Sequence, residues 1–86
     1  MIQIKVRFFA NLRVKSGKSQ VELSMDEGAT VSDMLDEIGQ QYPILTPHLG
    51  DKIVIAINNK VALRPDILPN DAEILLMPPI AGGRID

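Results

Sequence analysis

The residues of greatest chemical interest lie near the C-terminal end of this chain, where two prolines precede two glycines. Pro78 and Pro79 fix φ and favour an extended path that leads the backbone away from the preceding residues. Gly82 and Gly83 have no Cβ, so they permit the close approach that a narrow catalytic cleft requires of a backbone carbonyl. Such a segment is suited to presenting a chain end to another protein's active site, although permissive glycines are also common at frayed termini.

The rest of the chain offers few groups for catalysis or metal binding. It has no cysteine, and its one histidine, His48, lies between Pro47 and Leu49. No set of His, Cys and carboxylate residues has metal-ligand spacing, and no Ser-His-Asp group or phosphate-binding glycine loop can be assembled. We therefore expect no bound metal or cofactor and no enzymatic activity of the chain itself, with catalysis supplied by partner proteins.

Length and charge limit the function further. The 86 residues suffice for one domain and are too few for two independent cores. The net charge of −2 lacks the basic excess typical of nucleic-acid binding, and no apolar run is long enough for a membrane helix. We expect a cytoplasmic protein that binds neither nucleic acid nor membranes.

The charges are unevenly distributed along the chain. Residues 1–18 contain five cations and no acid, whereas residues 22–37 contain six acids and no cation. One interpretation is that neighbouring elements attract each other across the surface. The other is that a basic face and an acidic face each steer a different protein partner.

Hydrophobic periodicity predicts five strands. Residues 10–18 are predicted to be a polar stretch that ends in a turn, and Asn58-Asn59 is predicted to form a tight hairpin because Asn tolerates positive φ. The strands are expected at residues 2–8, 20–25, 53–57, 61–63 and 73–77.

One helix is predicted to begin after Thr30, because Thr30 and Asp33 have the spacing of a capping box. Pro43 and Pro47 are expected to stop this helix and start a loop. The apolar stripe of the helix consists of Val31, Met34, Leu35, Ile38 and Tyr42.

This order of elements predicts an α+β fold in two layers, in which a mixed sheet packs one face against one main helix. It is the order of the ubiquitin-like β-grasp. We expect residues 1–77 to form the β-grasp domain and residues 78–86 to form an extended C-terminal tail with the diglycine.

Several segments together resemble the MoaD/ThiS sulfur carriers over residues 2–83, and most of all the MoaD-like small subunit of molybdopterin synthase. The prolines before a small residue and the diglycine are the more specific part of this resemblance. The segments are Val6-Arg7-Phe8-Phe9-Ala10, Thr30-Val31, Val54-Ile55-Ala56-Ile57-Asn58, Leu68-Pro69-Asn70-Asp71-Ala72-Glu73-Ile74 and Pro78-Pro79-Ile80-Ala81-Gly82-Gly83.

The resemblance implies a carrier that acts as a covalent co-substrate. In this family an adenylating enzyme of the ubiquitin-activating type uses ATP to activate the terminal glycine, and a persulfide then supplies sulfur for a thiocarboxylate. The large synthase subunit uses that sulfur to make the dithiolene that binds molybdenum or tungsten. By resemblance, Gly83 is the acyl site, and Pro78, Pro79, Ala81 and Gly82 belong to the tail that delivers it.

The chain departs from the family pattern after the diglycine, where Arg84-Ile85-Asp86 follow. Gly83 then has no free carboxylate to attack ATP, so the carrier function requires that a diglycine-specific peptidase remove these three residues. Two alternatives remain open. One is a carrier for another sulfur acceptor, such as thiamin or cysteine, or a ubiquitin-like protein modifier; the other is a non-covalent interaction module.

Partner binding is expected on the sheet face opposite the helix, together with the tail. Phe9 alternates with Phe8, so it faces away from the helix if Phe8 faces toward it. With Leu63, Leu75 or Met77 it would form a small apolar docking patch. The alternative is that Phe9 packs beneath the 10–18 segment.

Overall fold

The computed structural model describes residues 1–50 and 52–78, and these form a mixed five-stranded sheet covered on one face by helices. The sheet order is β2-β1-β5-β3-β4, in which β1 and β5 are parallel and the other neighbouring pairs are antiparallel. The elements in chain order are β1 (Ile2–Phe8), α1 (Asn11–Ser16), β2 (Gln20–Met25), α2 (Val31–Gln41), a 3₁₀ helix (Pro43–His48), β3 (Val54–Ile57), β4 (Lys60–Val61) and β5 (Ala72–Met77).

The core lies between the sheet and α2. The alternation in β1 is as predicted, since every second residue from Ile2 to Phe8 is buried. The predicted stripe of α2 faces the same core, with Val31, Met34, Leu35 and Ile38 buried and Tyr42 half-buried at the C-cap. The Tyr42 ring meets the Phe8 ring edge-on at a centroid distance of 6.1 Å. The predicted two-layer α+β arrangement is confirmed.

The first turn of α2 satisfies its free backbone donors with partners close by. The Asp33 N–H donates to Thr30 Oγ1 at 3.2 Å, and the Thr30 N–H donates to Asp33 Oδ2 at 3.0 Å, which is the predicted capping box. The loop between β4 and β5 supplies the other acceptors. The Val31 N–H donates to the Asp66 carbonyl, and the Ser32 N–H donates to the Arg64 carbonyl. This loop therefore holds the start of α2 against the sheet.

Replacing the cap, Thr30→Ala, is expected to lower the free energy of unfolding by about 1 kcal/mol, because the Asp33 N–H loses its acceptor. Urea unfolding followed by circular dichroism measures the difference. The matched control is Ser32→Ala in the same turn, which leaves the capping box intact and should change stability by less than about 0.5 kcal/mol. Equal stability of the Thr30→Ala variant and the parent chain would contradict the capping argument.

The β3–β4 hairpin turns at Asn58-Asn59, as predicted. Both residues have positive φ, 50° and 73°, and Ile57 lies opposite Lys60 across the turn. The Asn58 side chain also ties the hairpin to β5, since its Oδ1 accepts from the Glu73 N–H at 2.9 Å. The strand after the turn was predicted at 61–63 but is Lys60–Val61.

The prediction that residues 10–18 are a polar stretch ending in a turn is wrong for most of its length, because Asn11–Ser16 form α1. Leu12 alone of these six residues is buried, so the segment has no apolar stripe to indicate a helix. Ala10 at its start has φ 54°, and Gly17 ends it in the left-handed region at φ 74°.

The loop predicted after Pro43 contains the 3₁₀ helix instead. Pro43 occupies its first turn, where a missing N–H is harmless, and Leu45 is fully buried beneath it. The Arg64 guanidinium fixes the end of this segment by donating to the carbonyls of Leu49 and Gly50 at 2.8 and 2.7 Å. In the described part of the chain, no helix is both long enough and apolar enough to cross a membrane.

Candidate functional site

The predicted tail follows the central strand of the sheet in the sequence. β5 is flanked by β1 and β3, and it runs parallel to β1. It ends at Met77, and the half-buried Pro78 follows directly. The remaining predicted tail residues, Pro79, Ala81, Gly82 and Gly83, lie outside the described residues, as do Arg84-Ile85-Asp86.

The sheet face away from α2, called here the open face, carries apolar side chains at the end where β5 stops. Leu75 and Met77 are half-buried there, and Met77 lies opposite Val54 in the register with β3. Phe9 lies beyond the end of β1 and is also half-buried, with its N–H donating to the Leu76 carbonyl at 3.2 Å. Three of the four predicted docking residues are therefore near the base of the tail.

Leu63, the fourth, is positioned differently. It follows β4 in a loop, is 67% exposed, and its N–H donates to Asp66 Oδ2 at 2.8 Å. Its backbone is thus fixed by the loop that caps α2 and not by the sheet ladder.

Two apolar residues of the open face were missed by the sequence analysis. Val54 is 36% exposed and Val61 is 79% exposed. Val61 lies opposite Ala56, which lies opposite Leu75, so these positions share one face. Counting outward from the Asn58-Asn59 turn places Val54 and Val61 on one face, but the register with β5 is needed to show that this is the open face. The set Phe9, Val54, Val61, Leu75 and Met77 is called the open-face patch below.

The other half of the open face is polar, and some of its groups are paired with each other. Arg7 forms an ion pair with Glu73 at 3.3 Å, and the Gln3 amide nitrogen donates to Ser24 Oγ at 2.7 Å. The Arg7 guanidinium carbon also lies 5.8 Å from the centre of the Phe9 ring, so it borders the open-face patch. The apolar half is the part of this face that a partner could cover.

The described residues form an apolar platform, and His48 lies apart from it. His48 ends the 3₁₀ helix and is half-buried there. Among residues 1–50 and 52–78, no three His, Cys, Asp or Glu side chains are grouped closely enough to hold a metal ion. What the described residues provide is an apolar surface beside Pro78, where the segment that contains the diglycine begins.

Comparison with known proteins gives a family match over most of the chain. The family model described as the ThiS family matches residues 6–83, so the match ends on the second glycine. The molybdopterin synthase sulfur carrier subunit of Arabidopsis thaliana is 32% identical over 82 residues, which cover 95% of this chain and 84% of that protein. Small archaeal modifier protein 1 of Haloferax volcanii is 30% identical over 84 residues, which cover 90% of this chain and 97% of that protein.

A solved structure supports the fold assignment. The solution structure of small archaeal modifier protein 1 from Methanosarcina acetivorans superposes with a TM-score of 0.79 at 31% identity, covering 96% of this chain and 98% of that one. Ubiquitin of Caldiarchaeum subterraneum also superposes, with a TM-score of 0.64 at 16% identity over 95% of this chain and 98% of that one, so the predicted ubiquitin-like β-grasp fold is confirmed.

Proposed function

This chain belongs to the ThiS family and is a sulfur carrier of the MoaD/ThiS type, and we propose that it supplies sulfur for molybdopterin formation as a thiocarboxylate on Gly83. The observation that carries the proposal is the family match, which runs to residue 83 and excludes the last three residues. The identity of 32% with a molybdopterin synthase sulfur carrier subunit over 95% of this chain supports the choice of acceptor.

The proposed chemistry takes place on the carbonyl carbon of Gly83. A carboxylate is a poor electrophile, so one of its oxygens first attacks the α-phosphorus of ATP and displaces pyrophosphate in a partner's active site. The terminal sulfur of a partner's persulfide then attacks the acyl adenylate, and AMP leaves. A thiol cleaves the resulting S–S bond, which releases the thiocarboxylate and oxidises that thiol to a disulfide.

The chain itself contributes presentation rather than acid–base chemistry. It contains no cysteine, which fits a sulfur that is carried on an acyl carbon. Glycine at positions 82 and 83 leaves room for the walls of a narrow cleft. The large subunit of molybdopterin synthase is the proposed acceptor enzyme, and a diglycine-specific peptidase is proposed to remove Arg84-Ile85-Asp86 first.

The open-face patch is the proposed docking surface for the activating enzyme and the synthase. Phe9→Ala is expected to keep the chain folded and to weaken binding of the activating enzyme by roughly 30-fold, because an aromatic anchor is lost. Binding is measured by calorimetry and folding by circular dichroism. Ile44→Ala is the matched control, since Ile44 is 57% exposed on the 3₁₀ helix and outside the patch. Equal binding by both variants would refute this docking surface.

A second candidate function is that of a protein modifier, in which lysine amines attack the activated Gly83. This modifier function is supported by the similarity to small archaeal modifier protein 1 from two organisms. Both functions require the same activated tail, and they differ only in the acceptor.

Affinity isolation from the native cell tests the choice between acceptors. The chain is tagged at Met1, which is 80% exposed, and the bound proteins are identified by mass spectrometry. Recovery of a molybdopterin synthase large subunit supports the proposed function. Isopeptide bonds between Gly83 and lysines of other proteins, without that subunit, would replace it with the modifier function.

A further inference from the structure

The short helix α1 and the turn that ends it form a second surface outside the open-face patch. Its cations, Arg13, Lys15 and Lys18, are all exposed, and Val14 among them is 79% exposed. The surface contains an open depression of about 420 Å³, lined by Arg13, Val14, Gly17, Lys18 and Ser19. We propose that this surface, called the α1 basic surface, binds an acidic segment of a partner protein.

No acid among the described residues forms an ion pair with a cation of the α1 basic surface. Within residues 1–50, all of which are described, no cation of residues 1–18 forms an ion pair with an acid of residues 22–37. Among the described residues, the ion pair that a cation of residues 1–18 does form joins Arg7 to Glu73, on the open face. The register of β1 with β2 places Lys5 opposite Glu22 without an ion pair between them, so any attraction between the two segments involves the sheet rather than the cations of the α1 basic surface.

The stability of α1 accounts for only some of the residues of the α1 basic surface. Arg13 and Lys15 lie in the last turn of α1, where cations interact favourably with the helix dipole. Lys18 lies beyond the C-cap Gly17, so the dipole does not account for it. Val14 gains little from an exposed position in a helix, where its branched side chain is mildly unfavourable. A bound segment would use both the charges and the valine methyl groups.

The location of α1 connects it to the tail. β1 and β5 are parallel, and Phe8 lies opposite Leu76, so the C-terminal ends of both strands lie at the same end of the sheet. α1 begins three residues after β1 ends, and Pro78 follows the last residue of β5. A protein that covers the open-face patch and takes up the tail therefore lies next to α1. The identity of that protein as the activating enzyme rests on the proposed function.

An acidic protein segment fits this surface better than nucleic acid or an anionic membrane. Three cations can neutralise only a few phosphates, and the whole chain has a net charge of −2. The exposed acids of α2 (Asp33, Asp36) would repel an extended polyanion. A short acidic peptide needs to pair only with these three cations.

The first test titrates the full chain with a hexaglutamate peptide and follows backbone amide shifts by NMR at low salt. We expect amide shifts confined to residues 13–18. The affinity for the peptide should fall at least about tenfold at 0.15 M salt, roughly the physiological ionic strength. Arg13→Glu/Lys15→Glu should abolish the shifts, whereas the matched charge variant Lys52→Glu/Lys60→Glu should retain them. Shifts lost equally in both variants, or stronger α1 shifts with a DNA oligonucleotide, would overturn the proposal.

The second test measures the association rate of the full chain with the activating enzyme by stopped flow. Arg13→Glu/Lys15→Glu is expected to slow association about tenfold at low salt, and Lys52→Glu/Lys60→Glu is expected to leave it within about twofold. Equal rates for the two variants would refute the α1 basic surface as a contact for this enzyme. Failure of the unsubstituted chain to bind the enzyme, both at full length and shortened to end at Gly83, would instead refute the proposed function, because the peptide titration is independent of it.

Discussion

A chain shortened to end at Gly83 is expected to be adenylated by its activating enzyme, whereas the 86-residue chain is expected to be inert. In the longer chain Gly83 is an internal amide, so it lacks the carboxylate oxygen that must attack ATP. ATP–pyrophosphate exchange in the presence of each chain measures this step. Exchange at equal rates with both chains would contradict the requirement for a free Gly83.

Within the shortened chain, Gly83→Ala is expected to reduce exchange by at least about a hundredfold. The added Cβ would displace the carboxylate from its attack geometry, and a misplacement near 1 Å has an effect of about that size. Ala81→Gly is the matched control, because it changes the same tail by one methyl group without adding bulk at the acyl site. Full exchange by Gly83→Ala would favour a non-covalent interaction module.

Leu76→Ala is expected to lower the free energy of unfolding by about 2–5 kcal/mol, a large part of the stability of a domain this small. Leu76 is fully buried on the central strand, where it lies opposite Phe8 and Ile55. Its removal leaves a cavity between the sheet and α2. Urea unfolding measures the change.

Leu75→Ala is the control for Leu76→Ala, because the two leucines are adjacent but face opposite sides of the sheet. Leu75 is half-buried on the open face, so its truncation should lower stability by less than about 1.5 kcal/mol. It should instead weaken partner binding, as Phe9→Ala does. Equal losses of stability in the two variants would contradict the assignment of one face to the core and the other to docking.

The parts of the fold that could be predicted from the sequence have strong local signals. Period-two alternation identified β1, and the Thr30–Asp33 spacing identified the start of α2. The Asn58-Asn59 turn was predictable because few residues tolerate positive φ twice in succession. In each case the local preference and the tertiary packing agree.

The elements that were missed lack such signals. α1 buries only Leu12, so its helix is supported by one core contact and a glycine C-cap rather than by an apolar stripe. The 3₁₀ helix contains Pro47, which argues against an α-helix but is compatible with a short 3₁₀ segment. α1 and the 3₁₀ helix pack against each other, and this contact joins distant parts of the sequence.

The candidate site was predictable only in part. Phe9, Leu75 and Met77 were identified from alternation, but Val54 and Val61 required the register of β3 with its neighbours. Val54 was assigned to a continuous apolar strand, and such a run does not reveal which face is exposed. The chemical end of the site, Gly82-Gly83, was found from residue types alone and lies outside the described residues.

The mass of the C-terminal peptide, from protein isolated from its native cell, shows whether Gly83 becomes a free chain end that carries sulfur. We expect a population that ends at Gly83, and within it a fraction heavier by the exchange of one oxygen for sulfur. Retention of Arg84-Ile85-Asp86 on every molecule would contradict the carrier function.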